Sequence, residues 1–497
     1  MNNLYFPASA NDAKQLSKRV SSGELKRIRQ GIYTDAPWEQ VPALVQSRWY
    51  DIVDYLFENG IASHVTAAEL RPVDGRVFIS ADIKHRKKIT IANTLTIDAY
   101  PGDTQLLTES FVPNLRRSAP ARYLLENLQA TRKRAGDTQS KAQGKAWVEG
   151  ELCKILERRG EDELNRIRDL AREHASALSL EKEFEQLDKL IGAVLSTKPA
   201  EHLTTPQALA MARQQPFDAN HVQAFEQLAD YLSRCNLKPK DYQYSASTWR
   251  NLSFYESYFS NYIEGTEFLI DEAEDIIFSK NIIEQRQQDS HDVLSVFDVV
   301  QDYQEMTTTP SSAEELLSLL SERHKLIMHQ RPEIHPGQFK SKANKAGDSL
   351  FVLPEQVEGT LAQTFGFYTA LPAGLHRAIY MHYLIAEVHP FDDGNGRLAR
   401  IMMNAELANA EQFKIIVPTV HRDSYLNGLI DATRRHKFRT MTKVFSDLQA
   451  YTASIEWGDY GEARSTLEAH YADKLPDQGV PIFNRQISTF KIELPVD

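Results

Sequence analysis

Between Ile379 and Val388 the chain is almost uniformly apolar, with His382 and Glu387 as the exceptions. Such a run predicts a buried helix. Pro390 ends it, because proline lacks the N–H a helix needs and disfavours helical backbone in the residue before it. His389 therefore falls at the C-terminal end of a buried helix. The chain continues Phe391-Asp392-Asp393-Gly394-Asn395-Gly396-Arg397-Leu398-Ala399-Arg400. Gly394 and Gly396 let the backbone approach a ligand closely, and Asn395 tolerates a left-handed conformation. A second helix is predicted to begin directly after them and to run through Leu407.

Backbone N–H groups freed by glycine at a helix start form an anion site. Arg397 and Arg400, three apart, share a face of that second helix. Taken singly, the histidine reads as a helix cap, the glycines as a turn and the arginines as a solvated face. Together, within twelve residues, they describe a phosphate cradle with two cations, a carboxylate and a potential base. The loop is not a Walker A loop, since no Gly-Lys-(Ser/Thr) follows it.

The segment resembles the signature of the Fic (Fido) family, His-Pro-Phe-x-(Asp/Glu)-Gly-Asn-Gly-Arg-x-x-Arg, with Asp392 at the variable position and all nine specified positions matched. The resemblance covers roughly residues 245–451. It implies a protein adenylyltransferase that moves AMP from ATP to a Ser, Thr or Tyr hydroxyl of a protein, itself included. By that resemblance His389 is the general base, suited by an imidazole pKa near neutrality. Asp393 holds Mg²⁺ across the α- and β-phosphates. Gly394, Asn395 and Gly396 steady the phosphates, while Arg397 and Arg400 neutralise the leaving pyrophosphate. The Doc branch of the superfamily, which phosphorylates, carries Lys where this chain has Gly396, so the resemblance favours AMP transfer.

Upstream, Ser260-x-x-x-Glu264-Gly265 resembles the family's inhibitory motif, (Ser/Thr)-x-x-x-Glu-(Gly/Asn). The resemblance implies that Glu264 pairs with Arg400 in the place of the γ-phosphate. Taken without that context, Glu264 reads as a surface residue ending a helix at Gly265. The short stretch Gly337 to Pro354 reads as a hairpin inside a helical domain, and resembles the family's flap, which pins a target segment by strand addition. Lys340 stands there where many members have Arg. Asp423-Ser424-Tyr425 resembles a region lining the adenine pocket. Two alternatives stay open: removal of AMP at the same site, with Glu264 orienting a water, and a DNA-binding regulator whose Fic part senses nucleotide.

The basic residues Lys14, Lys18, Arg19, Lys26, Arg27 and Arg29 cluster near the N-terminus of a chain that carries 57 basic and 68 acidic residues, net −11. That balance excludes a globally basic nucleic-acid wrapper but not a local patch. A short helix capped by Asn11 or Asp12, then a hairpin around Gln30-Gly31, with Ser63 to Leu70 beyond, resembles the winged-helix start of AbiEi-type antitoxin regulators. DNA binding and protein docking both remain open for it. Further strands are expected through Val77-Phe78-Ile79 and from Ile89 to Leu95. The expected fold is mainly α: residues 1–110 a small α+β winged-helix-like region, 111–240 a charged helical connector, 241–455 an all-helical Fic domain with a β-hairpin flap, and 456–497 a tail with one more helix. Two cysteines, Cys153 and Cys235, are too few for a disulfide framework and fit a reducing compartment. No apolar run is long enough to span a bilayer and no signal layout opens the chain, so the expectation is a cytoplasmic protein with no membrane role. A homodimer is consistent with the family resemblance.

Overall fold

The computed structural model describes residues 3–130, 140–346, 349–490 and 492–497. It divides into two compact units, residues 1–214 and 215–497.

In the first unit, Ser9 caps the helix Ala10–Ser21 by accepting a hydrogen bond from the Asp12 N–H, two or three residues before the expected cap. Strands β2 (Lys26–Arg29) and β3 (Ile32–Thr34) form the expected hairpin, and β1 (Leu4–Tyr5) pairs with β3. Of the clustered basic residues, Arg19 pairs with Glu24 and Lys26 donates to the Ala36 carbonyl; Lys14, Lys18, Arg27 and Arg29 are exposed.

A six-stranded mixed sheet follows. Its members are β4 (Ile61–Ala62), β5 (Arg76–Ala81), β6 (Lys87–Ile91), β7 (Leu95–Pro101), β8 (Thr108–Val112) and β9 (Leu115–Ser118), in the order β6-β7-β5-β4-β9-β8. Strand β5 covers the expected Val77–Ile79, but the single strand expected from Ile89 to Leu95 is two, β6 and β7, paired antiparallel across a turn in which Ala92 and Asn93 take positive φ. Strands β8 and β9 run past the expected boundary at residue 110: they pair antiparallel about Pro113-Asn114, and β9 is parallel to β4. Inside the sheet Asp98 is wholly buried and held by Arg76 and Arg86. Helices Pro120–Leu128, Lys145–His174 (kinked at Gly160, φ +79°), Glu181–Val194 and Pro206–Ala212 then enclose a core of Leu152, Leu164, Ile167, Leu187 and Leu190.

The connector expected over residues 111–240 is thus divided. Helix Ala219–Ser233 belongs to the second unit, where Phe225 packs against Tyr380 and Tyr383. The residues expected as a tail carry two helices, Tyr460–Ala469 and Pro476–Ile487, and both pack into the core through Leu467 and Phe483.

The second unit is helical apart from the hairpin of β10 (Lys345–Ala346) and β11 (Ser349–Leu350). At its centre the buried helix Leu375–Val388 packs along the helix Asn395–Asn409. The helix Ala246–Ile263 crosses close to the latter, with Gln287–Gln301 and Ala313–Met328 around them. No helix among the described residues is long and apolar enough to cross a membrane.

Candidate active site

His389 caps the helix Leu375–Val388 in a left-handed conformation, φ 52°, and its N–H reaches the Ile385 carbonyl at 3.0 Å. Nδ1 lies 3.3 Å from the Ala386 carbonyl, so it carries the proton and Nε2 the lone pair. The Phe351 ring, just after β11, stacks on the imidazole at 4.0 Å and 5°. Burial, with the nearby Lys340 cation, pushes the His389 pKa down to about 4, leaving a neutral base.

The loop after His389 is fixed from within. The Asn395 side chain accepts from the Phe391 N–H at 2.9 Å and donates to the Phe391 carbonyl at 2.8 Å. Gly394 caps the next helix at φ +76°, where a Cβ would meet Met328 Sδ at 2.9 Å. The cap offers no side-chain acceptor to the first-turn N–H groups, which keeps the helix start receptive to an anion.

His324 was not singled out in the sequence, yet it braces this loop. Its Nδ1 accepts the Gly337 N–H at 2.9 Å, so Nε2 donates to the Asp393 carbonyl at 3.0 Å, and its ring stacks on Phe391 at 3.8 Å. No spacing relates residue 324 to residue 393, so no local signal marks it. Lys340 ties the flap to the same loop: its N–H reaches Pro390 O at 2.9 Å and Nζ reaches Asn344 Oδ1 at 2.6 Å. Burial lowers the Lys340 pKa to about 8.

Both motif arginines are buried. Arg397 Nη1 meets Asp292 Oδ2 at 2.8 Å and Asn261 Oδ1 at 3.5 Å. Asp292 also binds Arg331 at 2.7 Å. Its signal was an acidic residue on the apolar face of Val296 and Val299. Arg400 donates to Ser260 Oγ and O, each at 2.9 Å, and to Tyr425 OH at 3.3 Å. Its Nη2 meets Glu264 Oε1 at 2.7 Å.

Glu264 ends the helix Ala246–Ile263 in a Schellman turn: the Gly265 N–H bonds Tyr262 O and the Thr266 N–H bonds Asn261 O, both at 3.1 Å. The carboxylate lies against Gly396, where a Cβ would collide with Oε1. It thus occupies the anion position at the start of the motif helix. Burial opposes its charge, but Arg400 with Arg397 and His389 hold its pKa below the usual carboxylate value.

Glu264, His389, Gly396, Arg400 and Phe351 line one cavity of about 480 Å³, with Leu426, Leu429 and Ile430 forming an apolar wall. Of Asp423, Ser424 and Tyr425, only Tyr425 lines it; its OH meets His382 Nε2 at 2.8 Å. Asp393 stands at the loop with its side chain 55% exposed, Oδ1 accepting the Gly394 N–H at 2.7 Å and Oδ2 3.9 Å from Arg397. Among the described residues no three His, Cys, Asp or Glu groups converge to hold a metal. One exposed carboxylate beside an anion cradle suits Mg²⁺, which takes most of its ligands from water and phosphate.

Residues 314–407 match the model of the Fic/DOC family. These residues form a Fic/DOC domain. Beyond it, the chain is similar to a protein adenylyltransferase Fic of Aedes aegypti, 24% identical over 46% of each chain. It is also similar to one of Culex quinquefasciatus, 26% identical over 35% of each. The chain therefore spans less than half the length of these curated relatives. Among solved structures, a Fic domain containing signalling protein from Bacteroides thetaiotaomicron aligns over 47% of this chain and 94% of its own, at 19% identity and a TM-score of 0.38. In the Fic/DOC domain here, Gly394 to Gly396, His389 and Glu264 come from the ends of three different helices.

Proposed function

We propose that the chain is an ATP-dependent protein adenylyltransferase held in check by Glu264. The observation that carries this reading is the Glu264 carboxylate seated against Gly396 and bound to Arg400 inside the cavity that holds His389. An anion cradle with a general base at its edge suits attack on a bound phosphate, and the curated relatives are named adenylyltransferases. ATP enters with its phosphates on Gly394 to Gly396 and its adenine along the apolar wall. A protein hydroxyl, held beneath the β10–β11 hairpin, attacks the α-phosphorus. The oxygen–phosphorus bond forms, the bond to the β-phosphate oxygen breaks, and the hydroxyl proton passes to His389 Nε2. Arg400, once released by Glu264, meets the charge of the departing pyrophosphate. Asp393 is the residue that would hold Mg²⁺, which supplies further neutralisation of the phosphates.

A second reading, removal of AMP, is supported by the same carboxylate: an ionised Glu264 in the cavity of His389 can orient a water. Intact-mass measurement of the purified chain with ATP and Mg²⁺ separates the two. Added AMP on Glu264→Gly in excess of wild type supports adenylylation. Loss of activity in that variant on an AMP-modified protein supports removal.

A further inference from the structure

We infer that Glu256 is a positioning residue that sets the axial register of the helix Ala246–Ile263 against the motif helix, and so places Glu264 on Arg400. The inference rests on the inhibitory reading of Glu264.

The two helices meet through polar groups at matched spacing. Glu256, Ser260 and Glu264 stand at i, i+4 and i+8 on one face. Opposite them, running the other way at the same interval, are Asn404, Arg400 and Gly396. Glu256 Oε1 accepts from Asn404 Nδ2 at 2.8 Å, Ser260 Oγ accepts from Arg400 Nε at 2.9 Å, and Glu264 lies against Gly396. The first rung is the deepest, with Glu256 4% exposed and Asn404 fully buried. It is also the most braced. Asn404 exchanges two bonds with the backbone of Ile415, and Lys414 Nζ lies 2.6 Å from Glu256 Oε2. Lys414 in turn reaches Ser253 Oγ at 3.1 Å and Val300 O at 3.3 Å, and sits 4.0 Å over the Trp249 ring.

Helices rise about 1.5 Å per residue, so a slide of one residue would lengthen and misalign all of these directional bonds at once. Apolar side chains alone tolerate such a slide better, because dispersion contacts are not directional. Burial pulls both members of the pair toward their neutral forms, Glu256 upward and Lys414 downward. A buried pair of this kind adds little net stability compared with well-packed apolar residues. What it contributes is the register two turns ahead of Glu264.

The test uses the full chain with ATP and Mg²⁺, reading AMP on the chain by intact mass. The double variant Glu256→Leu/Lys414→Met fills the same volume without the directional bonds. It is expected to keep an unfolding midpoint close to wild type and to raise self-modification about threefold or more, a coupling usual for residues in one network. In a Glu264→Gly background the same double replacement should add nothing, because register matters only while Glu264 is present. If the double variant does not fold, Glu256→Asp withdraws the carboxylate by one methylene and should also raise self-modification, while Glu256→Gln keeps length and acceptor and should restore the wild-type level. Wild-type self-modification in both the double variant and Glu256→Asp, with Glu264→Gly active, overturns the inference. A Glu264→Gly variant no more active than wild type overturns the inhibitory reading itself, and the inference falls with it.

Discussion

Arg397 and Arg400 lie three residues apart on the motif helix, and each is buried against a carboxylate, yet the two pairs differ in kind. Asp292, the partner of Arg397, is 1% exposed, shared with Arg331, and absent from the cavity wall. Glu264, the partner of Arg400, keeps a third of its side chain exposed on that wall and sits at a helix C-cap, where a negative charge is disfavoured by the helix dipole. Under the proposed function, the difference separates a fixed cation from a releasable one. A carboxylate sealed on every side locks its arginine; under the proposed function, the carboxylate on the cavity wall is the one a phosphate displaces.

The largest expected effect bypasses the comparison and sets its scale. His389→Ala in the Glu264→Gly background should lower AMP transfer by about 10²–10⁴-fold. Nucleotide binding should persist, because the phosphate contacts lie elsewhere; retained transfer, read by labelled ATP, would remove His389 from the role of base.

Breaking the two pairs should then give opposite results. Asp292→Ala strands buried Arg397 beside Arg331 and should cost about 3–5 kcal/mol, with a matching fall in the denaturation midpoint and no gain in activity. Glu264→Gly should lower the midpoint less, since Arg400 keeps its bonds to Ser260 and Tyr425, and should raise self-modification. If Asp292→Ala activates, or Glu264→Gly unfolds the chain, the distinction between a lock and a releasable contact fails.

The smallest effect concerns pH. With the His389 pKa held at about 4 by burial and the Lys340 cation, the imidazole is already deprotonated at pH 6. The protonated form cannot accept a proton, so kcat/KM of the Glu264→Gly variant should stay flat from pH 7, where Lys340 is charged, down to 6 and fall only well below that, toward the His389 pKa. A fall centred near pH 6.5 would place the imidazole in water rather than under Phe351.

The chemistry of the cradle was legible because its residues are contiguous: the proline stop, the glycines and the arginines declare themselves within one turn of chain. Glu264 was marked only by the resemblance of Ser260-x-x-x-Glu264-Gly265 to the family's inhibitory motif. The braces were not. His324, Asp292 and the Glu256–Lys414 pair act across tens to hundreds of residues, and only Asp292 carries a local hint, an acidic residue on an apolar helix face. The same holds for the fold. Strands β8 and β9 were missed because Pro113 interrupts a weak alternation, and their pairing with the earlier strands is a tertiary fact. Helix Pro476–Ile487 hid its role because it contains Gly479 and Pro481, poor helix formers; Gly479 is needed where a Cβ would press on Val420 and Tyr471.

The central claim is that Glu264 and the γ-phosphate compete for Arg400, and calorimetric titration of wild type and Glu264→Gly with ATP and with ADP tests it most directly. ADP lacks the contested phosphate. Removing Glu264 should therefore strengthen ATP binding distinctly more than ADP binding. Equal changes for the two nucleotides, or none for either, would contradict the account.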